Sequence, residues 1–408
     1  MKPVNSPQQL IGARTLVVLL CLVGTELTLK HVGGFGWWTV NEQSERYGWR
    51  MLPSQDARGR DLTVVESINS EGFRDREWEA PQRGPDGAWQ KDETLFRVAV
   101  LGNSMSFGTS VPIEGVYSRQ LERLLQVELD SRGDDRRALV MNFAVQGYVF
   151  EQMARVYDDI AARWRPDLLV VPFHPHDIMP MRPSADDADY DFRTWVLRSA
   201  TYDMLERHVI DRWLPPVPPK AAESVRSLGP TPDELPLRFR DWAALDLSIT
   251  EQPFKRDNRR WWRLAGERMQ GLLEQVEQDG GRLAIMALPR WRRHFRPKVM
   301  DADSFWAGWA WERRPRVLRV SPWPLFEQGM APVLADLRAT GMELGTTHDL
   351  TTLTWTDSAG RTHRGDELAS AEQSLHLLGD MGHFTAHGHS ALARALMDAV
   401  TDAELLGP

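Results

Sequence analysis

Short apolar runs of strand-forming residues alternate with segments of helical periodicity through the middle of the chain. The runs at 96–101, 138–145 and 168–173 (FRVAVL, ALVMNFAV and LLVVPF) have the length and composition of buried strands. Between them, apolar residues recur at helical spacing over 115–127 and 150–163. Strand, helix, strand, helix, strand at this spacing predicts a parallel sheet with helices on both faces.

The same pattern continues in the second half of the chain, with interruptions. A helical segment at 259–278 leads into RLAIMAL at 282–288, and a further strand is predicted near 342–349. Together the runs predict five parallel strands in a three-layer α/β/α fold. Two irregular segments, at about 179–258 and 289–323, break the pattern and are predicted to be insertions.

The amino terminus carries an apolar segment, TLVVLLCLVGT at 15–25, preceded by Lys2 and Arg14. This segment is shorter than the roughly 20 residues of a spanning helix and resembles the apolar part of a secretory signal, but no small-residue cleavage site follows it. We therefore expect an uncleaved anchor with one pass through the inner membrane and the rest of the chain in the periplasm. A buried N-terminal helix in a soluble protein is the alternative. The predicted organisation is a signal anchor at 1–32, an irregular lead-in segment at 33–92 and a main domain at 93–408.

Composition excludes several kinds of partner. The net charge of −8 disfavours binding to a nucleic-acid backbone. The single cysteine, Cys21, excludes an internal disulfide and a zinc site built on cysteines. The chain has 17 tryptophans, which either fill the core or offer flat faces for stacking on sugar rings.

A serine follows the first predicted strand, in the turn Gly102-Asn103-Ser104. In open parallel sheets, ligands bind beyond the carboxyl ends of the strands, so this turn lies where chemistry is expected. A serine on a tight strand-to-helix turn exposes its hydroxyl, and its own N–H can stabilise an oxyanion. The turn is neither the G-x-S-x-G elbow nor a phosphate-binding loop, because Ser106 stands in place of the last glycine and no G-K-[ST] follows.

Near the carboxyl terminus, Asp380 precedes His383 by three residues. A serine hydroxyl is a weak nucleophile at neutral pH and needs a base such as an imidazole. The imidazole in turn needs a partner that fixes its tautomer, and Asp380 is close enough in sequence to orient His383. We therefore predict a catalytic triad of Ser104, Asp380 and His383. The histidines at 383, 387 and 389 also have spacings seen in metal sites, but we predict no metal and no cofactor.

At these positions the chain resembles the SGNH/GDSL hydrolase family. The resemblance rests on VAVLGNSMSFGTSV, NFAVQGY, PDLLVVPFHPHDI and DMGHFTAHGH, and on INSEGFRD at 68–75, which is similar to the lead-in of membrane-anchored bacterial members. It implies a flavodoxin-like fold with Ser104 as nucleophile, Asp380 and His383 as the other triad members, and Gly147 as a backbone donor to the oxyanion.

The third of these blocks departs from the family pattern. The family usually has Gly-x-Asn-Asp here, whereas this chain has His174-Pro175-His176-Asp177, which puts His176 where the asparagine donor would be. An imidazole N–H can also donate a hydrogen bond, so the predicted oxyanion hole comprises Ser104, Gly147 and His176. Loss of one such donor costs about 100- to 1000-fold in turnover.

The resemblance implies a serine esterase or acyltransferase that acts on O-acyl esters through an acyl-Ser104 intermediate. Its ester-bearing substrate is expected to be an acylated glycan or lipid outside the cytoplasm. The alternative is a catalytically impaired surface protein that binds glycans through its tryptophans.

Overall fold

The structure is a computed structural model. It describes the main part of the chain at 41–58, 64–109, 111–181, 256–289, 302–313, 315–328 and 383–407, and shorter pieces at 15, 18, 20–29, 201, 204, 354–356, 360 and 362–364. The predicted triad member Asp380 and the predicted strand at 342–349 lie outside these residues.

The lead-in segment forms two antiparallel hairpins ahead of the central sheet. Their strands are β1 (Asn41–Ser44), β2 (Gly48–Met51), β3 (Gln55–Arg58) and β4 (Val65–Ile68). Tyr47, Met51 and Ile68 are buried and pack into the same core as the sheet. The lead-in is therefore continuous with the main domain in its packing.

The central sheet has five strands, all parallel to their neighbours. They are β5 (Leu95–Val100), β6 (Arg137–Asn142), β7 (Leu168–Phe173), β8 (Arg282–Ala287) and β9 (Val317–Val320). A small hairpin of β10 (Thr354–Thr356) and β11 (Thr362–Arg364) lies outside this sheet. The order β6-β5-β7-β8-β9 is the flavodoxin-like order, with the switch point between β5 and β7. The predicted five-stranded parallel α/β fold is confirmed.

Helices cover both faces of the sheet and complete three layers. They are α1 (Ser104–Phe107), α2 (Tyr117–Arg132), α3 (Phe150–Asp159), α4 (Arg259–Gln278), α5 (Ala302–Glu312) and α6 (Ala386–Asp402). One core cluster joins the sheet to α3, α4 and α5, and a second joins it to α2 and α6. In α2, Leu121, Leu125 and Leu129 recur every fourth residue and are fully buried, which fixes the face that it turns to the sheet.

The fifth strand does not lie where the sequence pattern puts it. β9 occupies 317–320, and α5 occupies 302–312, so both lie inside the segment 289–323 that was predicted to be an insertion. β9 pairs with β8 along one edge of the sheet. Its four residues, next to a run rich in Arg and Trp, are too few to give a recognisable strand pattern.

Four tryptophans fill the core rather than present flat faces to solvent. The side chains of Trp164, Trp261, Trp262 and Trp306 are all at most 5% exposed. The ring centroid of Trp306 lies 4.7 Å from that of Phe173 in β7. For these residues the packing interpretation of the tryptophan content is correct.

The N-terminal segment is helical over 21–29. The side chains of Val18, Leu22 and Leu27 are more than half exposed. Glu26 accepts hydrogen bonds from the backbone N and the Oγ1 of Thr201, at 3.1 and 2.9 Å. Within the part of the chain that the structure describes, no helix is both long and apolar enough to cross a membrane.

Candidate active site

The Ser104 turn begins where β5 ends. Gly102 has φ +157°, and a Cβ at this position would collide with the Ser106 side chain, so only glycine fits. Asn103 then caps α1, with its side-chain oxygen accepting from Met105 N at 2.9 Å. Ser104 is the first residue of the helix and is half-buried. Its carbonyl accepts from Gly108 N at 3.2 Å, which closes the turn.

Two backbone N–H groups at this edge of the sheet, those of Ser104 and Gly147, have no acceptor among the described residues. Gly147 has φ +78°, is exposed, and lies in the loop that follows the neighbouring strand β6. The two loops meet through Thr109, whose Oγ1 donates to the Ser104 carbonyl at 3.4 Å and accepts from Gln146 Nε2 at 3.5 Å. Both predicted backbone donors therefore lie in adjoining loops.

The third predicted donor, His176, follows β7 on the other side of the switch point. Asp177 beside it is 1% exposed, and its Oδ1 accepts from Asn103 Nδ2 at 2.8 Å. The other carboxylate oxygen accepts from His174 N at 2.6 Å. The first bond ties the His176 loop directly to the residue that precedes Ser104, and the second closes the His176 loop on itself.

The ring of His176 is held against Asp177 as well. Its Nε2 lies 3.4 Å from Asp177 Oδ1, and its side chain is 21% exposed. A neutral imidazole has one N–H, so a ring that points this N–H at Asp177 has only an acceptor left on Nδ1. His176 can then donate to an oxyanion in two ways, either as the doubly protonated ring or by turning Nε2 away from Asp177.

The carboxyl-terminal segment comes to the same edge of the molecule. A Cβ on Gly115 would lie 3.1 Å from Ala386 Cβ, and Gln120 Nε2 donates to the Ala386 carbonyl at 3.2 Å. Gly115 and Gln120 follow the Ser104 turn in the chain. His383 lies three residues before Ala386, is half-buried, and has its Nε2 shielded from solvent.

His389 connects this segment to the interior. It is 1% exposed, stacks on the ring of Tyr117, and its Nδ1 accepts from Tyr117 N at 3.3 Å. Burial, together with smaller contributions from charge repulsion by Arg74 and His383, lowers the pKa of His389 to about 3. His389 therefore lies within electrostatic range of both His383 and Arg74, and Arg74 contacts the Ser104 turn.

The described residues contain no group of three or more histidine, cysteine or acidic side chains that could hold a metal ion. His387 is exposed on the first turn of α6, whereas His389 points into the core. The close spacing of these two histidines therefore reflects a helix start and not a shared ligand set.

Sequence reasoning missed several residues of the lead-in that support the site. Trp49 Nε1 donates to the Gln146 carbonyl at 3.2 Å, and its ring lies against Gly147. Arg74 and Asp75 are buried beneath the Ser104 and Gly147 loops. INSEGFRD at 68–75 contains Arg74 and Asp75, but charged residues are expected at the surface, so the sequence alone assigns them no part in supporting the loops.

Comparison with known proteins gives similarities of fold only. No family model and no curated protein matches the sequence. The lipase Lip_vut3 from a goat rumen metagenome aligns with 74% of this chain and 97% of its own, at 9% identity and a TM-score of 0.35. TesA aligns with 75% and 99%, at 9% identity and a TM-score of 0.35. Axe2, an acetylxylan esterase from Geobacillus stearothermophilus, aligns with 74% and 93%, at 11% identity and a TM-score of 0.36. Similarities at this level do not assign an activity, so the chemistry has to be inferred from the site itself.

Proposed function

We propose that this protein is an SGNH-type serine hydrolase or acyltransferase that acts on O-acyl esters. The observation that carries the proposal is the position of Ser104 at the switch point of the sheet, on a capped turn with two candidate N–H donors. Acyl transfer requires a nucleophilic hydroxyl and backbone N–H donors for the oxyanion, and the adjoining loops of Ser104 and Gly147 supply candidates for both. The proposal needs no cofactor.

In the proposed mechanism, Ser104 Oγ attacks the ester carbonyl and His383 accepts the hydroxyl proton. The N–H groups of Ser104 and Gly147 stabilise the tetrahedral oxyanion, with His176 as the third donor. His383 then protonates the leaving alcohol, and Asp380 holds the imidazole in the required tautomer. Attack by water on the acyl-Ser104 ester gives hydrolysis, and attack by another hydroxyl gives transfer.

We also propose that the N-terminal segment attaches the protein to the outer face of the inner membrane, where an acylated glycan or lipid is the substrate. The exposed apolar side chains of the segment, among them Val18, Leu22 and Leu27, support attachment to lipid. A fusion at Pro408 to a reporter that matures only outside the cytoplasm tests the topology, and an active reporter is expected. Activity of a cytoplasm-only reporter at the same position would contradict it.

The mechanism is tested by labelling with a fluorophosphonate probe and by turnover of p-nitrophenyl acetate. Ser104→Ala should abolish both signals, and His383→Ala should nearly abolish them. Ser106→Ala is the matched control, because Ser106 is fully buried two residues away and its Oγ accepts from the Tyr117 hydroxyl. Retained labelling in Ser104→Ala would mean that the nucleophile is misassigned.

A second candidate function is a non-catalytic protein that binds glycans. The contact between His176 Nε2 and Asp177 favours it, because it occupies the ring nitrogen that would otherwise serve the oxyanion. In that case the wild-type protein gives no label with the probe, and it binds soluble acetylated polysaccharide with the same affinity as Ser104→Ala.

A further inference from the structure

We propose that Arg74 and Asp75, two adjacent residues of the lead-in, are positioning residues that hold the Ser104 turn and the Gly147 loop in register with each other. The inference rests on the proposed function, since it assigns the support of the same oxyanion hole. Both side chains are buried, at 2% and 3% exposure. Both act through the backbone of the two loops.

Arg74 holds the far end of the Ser104 turn. Its Nη1 donates to the carbonyls of Phe107 and Gly108, at 2.9 and 2.5 Å, and its Nη2 donates to the carbonyl of Val111 at 2.6 Å. Phe107 is the last residue of α1, so these carbonyls include ones that a helix end leaves without a partner. A single planar guanidinium thus fixes three successive parts of the turn, which lysine cannot do with one nitrogen.

The surroundings of Arg74 leave the side chain little freedom. It is 2% exposed, and its guanidinium lies 5.2 Å from the centre of the Phe107 ring. Burial lowers the pKa of Arg74, opposed by the charges of Glu66 and Asp75. Burying a guanidinium costs free energy unless it is hydrogen-bonded, so loss of its hydrogen bonds to the turn would be strongly unfavourable.

Asp75 holds the loop on the other side. Its Oδ2 accepts from Asn142 N at 3.0 Å, at the point where β6 ends and the Gly147 loop begins. The side chain of Asn142 then reaches both loops, because its Nδ2 donates to the Ser106 carbonyl at 2.9 Å and its Oδ1 accepts from Ala144 N at 3.2 Å. Asp75 therefore holds the start of the Gly147 loop, and through Asn142 it is linked to the turn that Arg74 holds.

The two residues are themselves fixed by a tight turn in the lead-in. Asn69 N donates to the Phe73 carbonyl at 2.8 Å, and Phe73 N donates to Asn69 Oδ1 at 3.0 Å. The Phe73 ring packs edge-on against Phe143, with centroids 5.1 Å apart. The lead-in thus presents the Arg-Asp pair on a rigid support, as positioning to a fraction of an ångström requires.

The experiment compares Arg74→Lys and Asp75→Asn with the wild type by two measurements on the full chain. Hydrogen exchange of the peptides covering 103–111 and 142–148 reports on the loops, and the helix 259–278 serves as the internal reference. The rate of fluorophosphonate labelling reports on Ser104. Arg76→Lys is the matched control. The Nη1 and Nη2 of Arg76 donate to the Glu122 carboxylate, and its side chain has no hydrogen bond to the described residues of either loop.

We expect faster exchange in 103–111 for Arg74→Lys and in 142–148 for Asp75→Asn, with unchanged exchange in 259–278. The maximal labelling rate should fall by about 10- to 100-fold in each variant, with little change in the half-saturating probe concentration, because small displacements of a reacting group have effects of this size. Arg76→Lys should label at the wild-type rate.

Unchanged exchange in the two loops would overturn the proposal, and so would faster exchange with an unchanged labelling rate. If the wild type does not label but the variants show faster exchange, the proposed function fails while the support of the loops by this pair stands. If Arg74→Lys does not fold, Asp75→Asn decides the outcome, since it keeps the size of the side chain and leaves Arg74 in place.

Discussion

The contribution of the buried His389 to the stability of this protein should fall in mild acid, and one substitution should remove that contribution. The pKa of His389 is lowered from 6.5 to about 3 in the folded state. Between these pH values the imidazole is protonated in the unfolded chain but neutral in the folded chain. The stability that His389 contributes is therefore fully present above pH 6.5 and is lost as the pH falls toward 3. The difference between the unfolded and folded pKa values of His389 corresponds to about 5 kcal/mol of stability, or about 1.4 kcal/mol for each pH unit.

His389→Asn is the informative variant. The Asn Oδ1 stands at the position of the imidazole Nδ1, so it can still accept from Tyr117 N, but it does not titrate. At pH 8 the variant should be about 2 kcal/mol less stable than the wild type, because the smaller side chain loses its stacking on Tyr117 and leaves a void. By pH 5 the wild type loses about 2 kcal/mol through His389 alone, so the two stability curves should meet near that pH.

Urea unfolding at pH values from 8 to 4.5, followed by tryptophan fluorescence, measures both curves. Other titrating groups contribute equally to both proteins, including Asp75, whose pKa is raised to about 7 by burial, and they cancel from the difference. His387→Asn, at an exposed position on the same helix, is the matched control. Parallel curves for wild type and His389→Asn over the whole range would refute this reasoning.

Three further predictions concern the site and the core. His176→Asn should retain or raise turnover of p-nitrophenyl acetate, because a side-chain amide always carries N–H donors, whereas the His176 Nε2 lies 3.4 Å from Asp177 Oδ1. An equal loss of turnover in His176→Asn and His176→Ala would remove this side chain from the oxyanion hole. Asn103→Ala should lower the labelling rate of Ser104 by about 10-fold or more and the free energy of unfolding by about 1–3 kcal/mol, because it removes both the cap of α1 and the bond to Asp177. An unchanged labelling rate would show that the bond to Asp177 is dispensable. Trp306→Ala should lower the free energy of unfolding by about 3–5 kcal/mol, measured by urea denaturation, and a change below about 1 kcal/mol would contradict its place in the core.

The strongly patterned elements could be predicted from the sequence, and the weakly patterned ones could not. The helix at 259–278 begins and ends as predicted because its buried positions recur regularly, through Met269, Leu272, Leu273 and Val276. The strand at 317–320 was missed because four residues beside an Arg- and Trp-rich run carry too little periodicity.

In the candidate site, too, some features could be predicted from the sequence and others could not. The loops of Ser104, Gly147 and His176 follow from the topology, because the carboxyl ends of neighbouring parallel strands meet at one edge of the sheet. The interactions that hold these loops could not be predicted, since Arg74 bonds to backbone carbonyls 33 to 37 residues away. Such contacts exist only once the fold is formed.

The placement of α6 has a consequence for the order in which the protein is completed on the ribosome. Arg74 and its partner Phe107 are 33 residues apart, whereas Tyr117 and His389 are 272 residues apart. At the 5–20 residues per second of translation, the second interval lasts roughly 15–50 s. During this time α2 lacks its contacts with α6, whose residues share a core cluster with Leu121 and Leu125. In the proposed mechanism, the nascent chain carries Ser104 and the backbone donors throughout this interval but lacks the base until His383 has been synthesised.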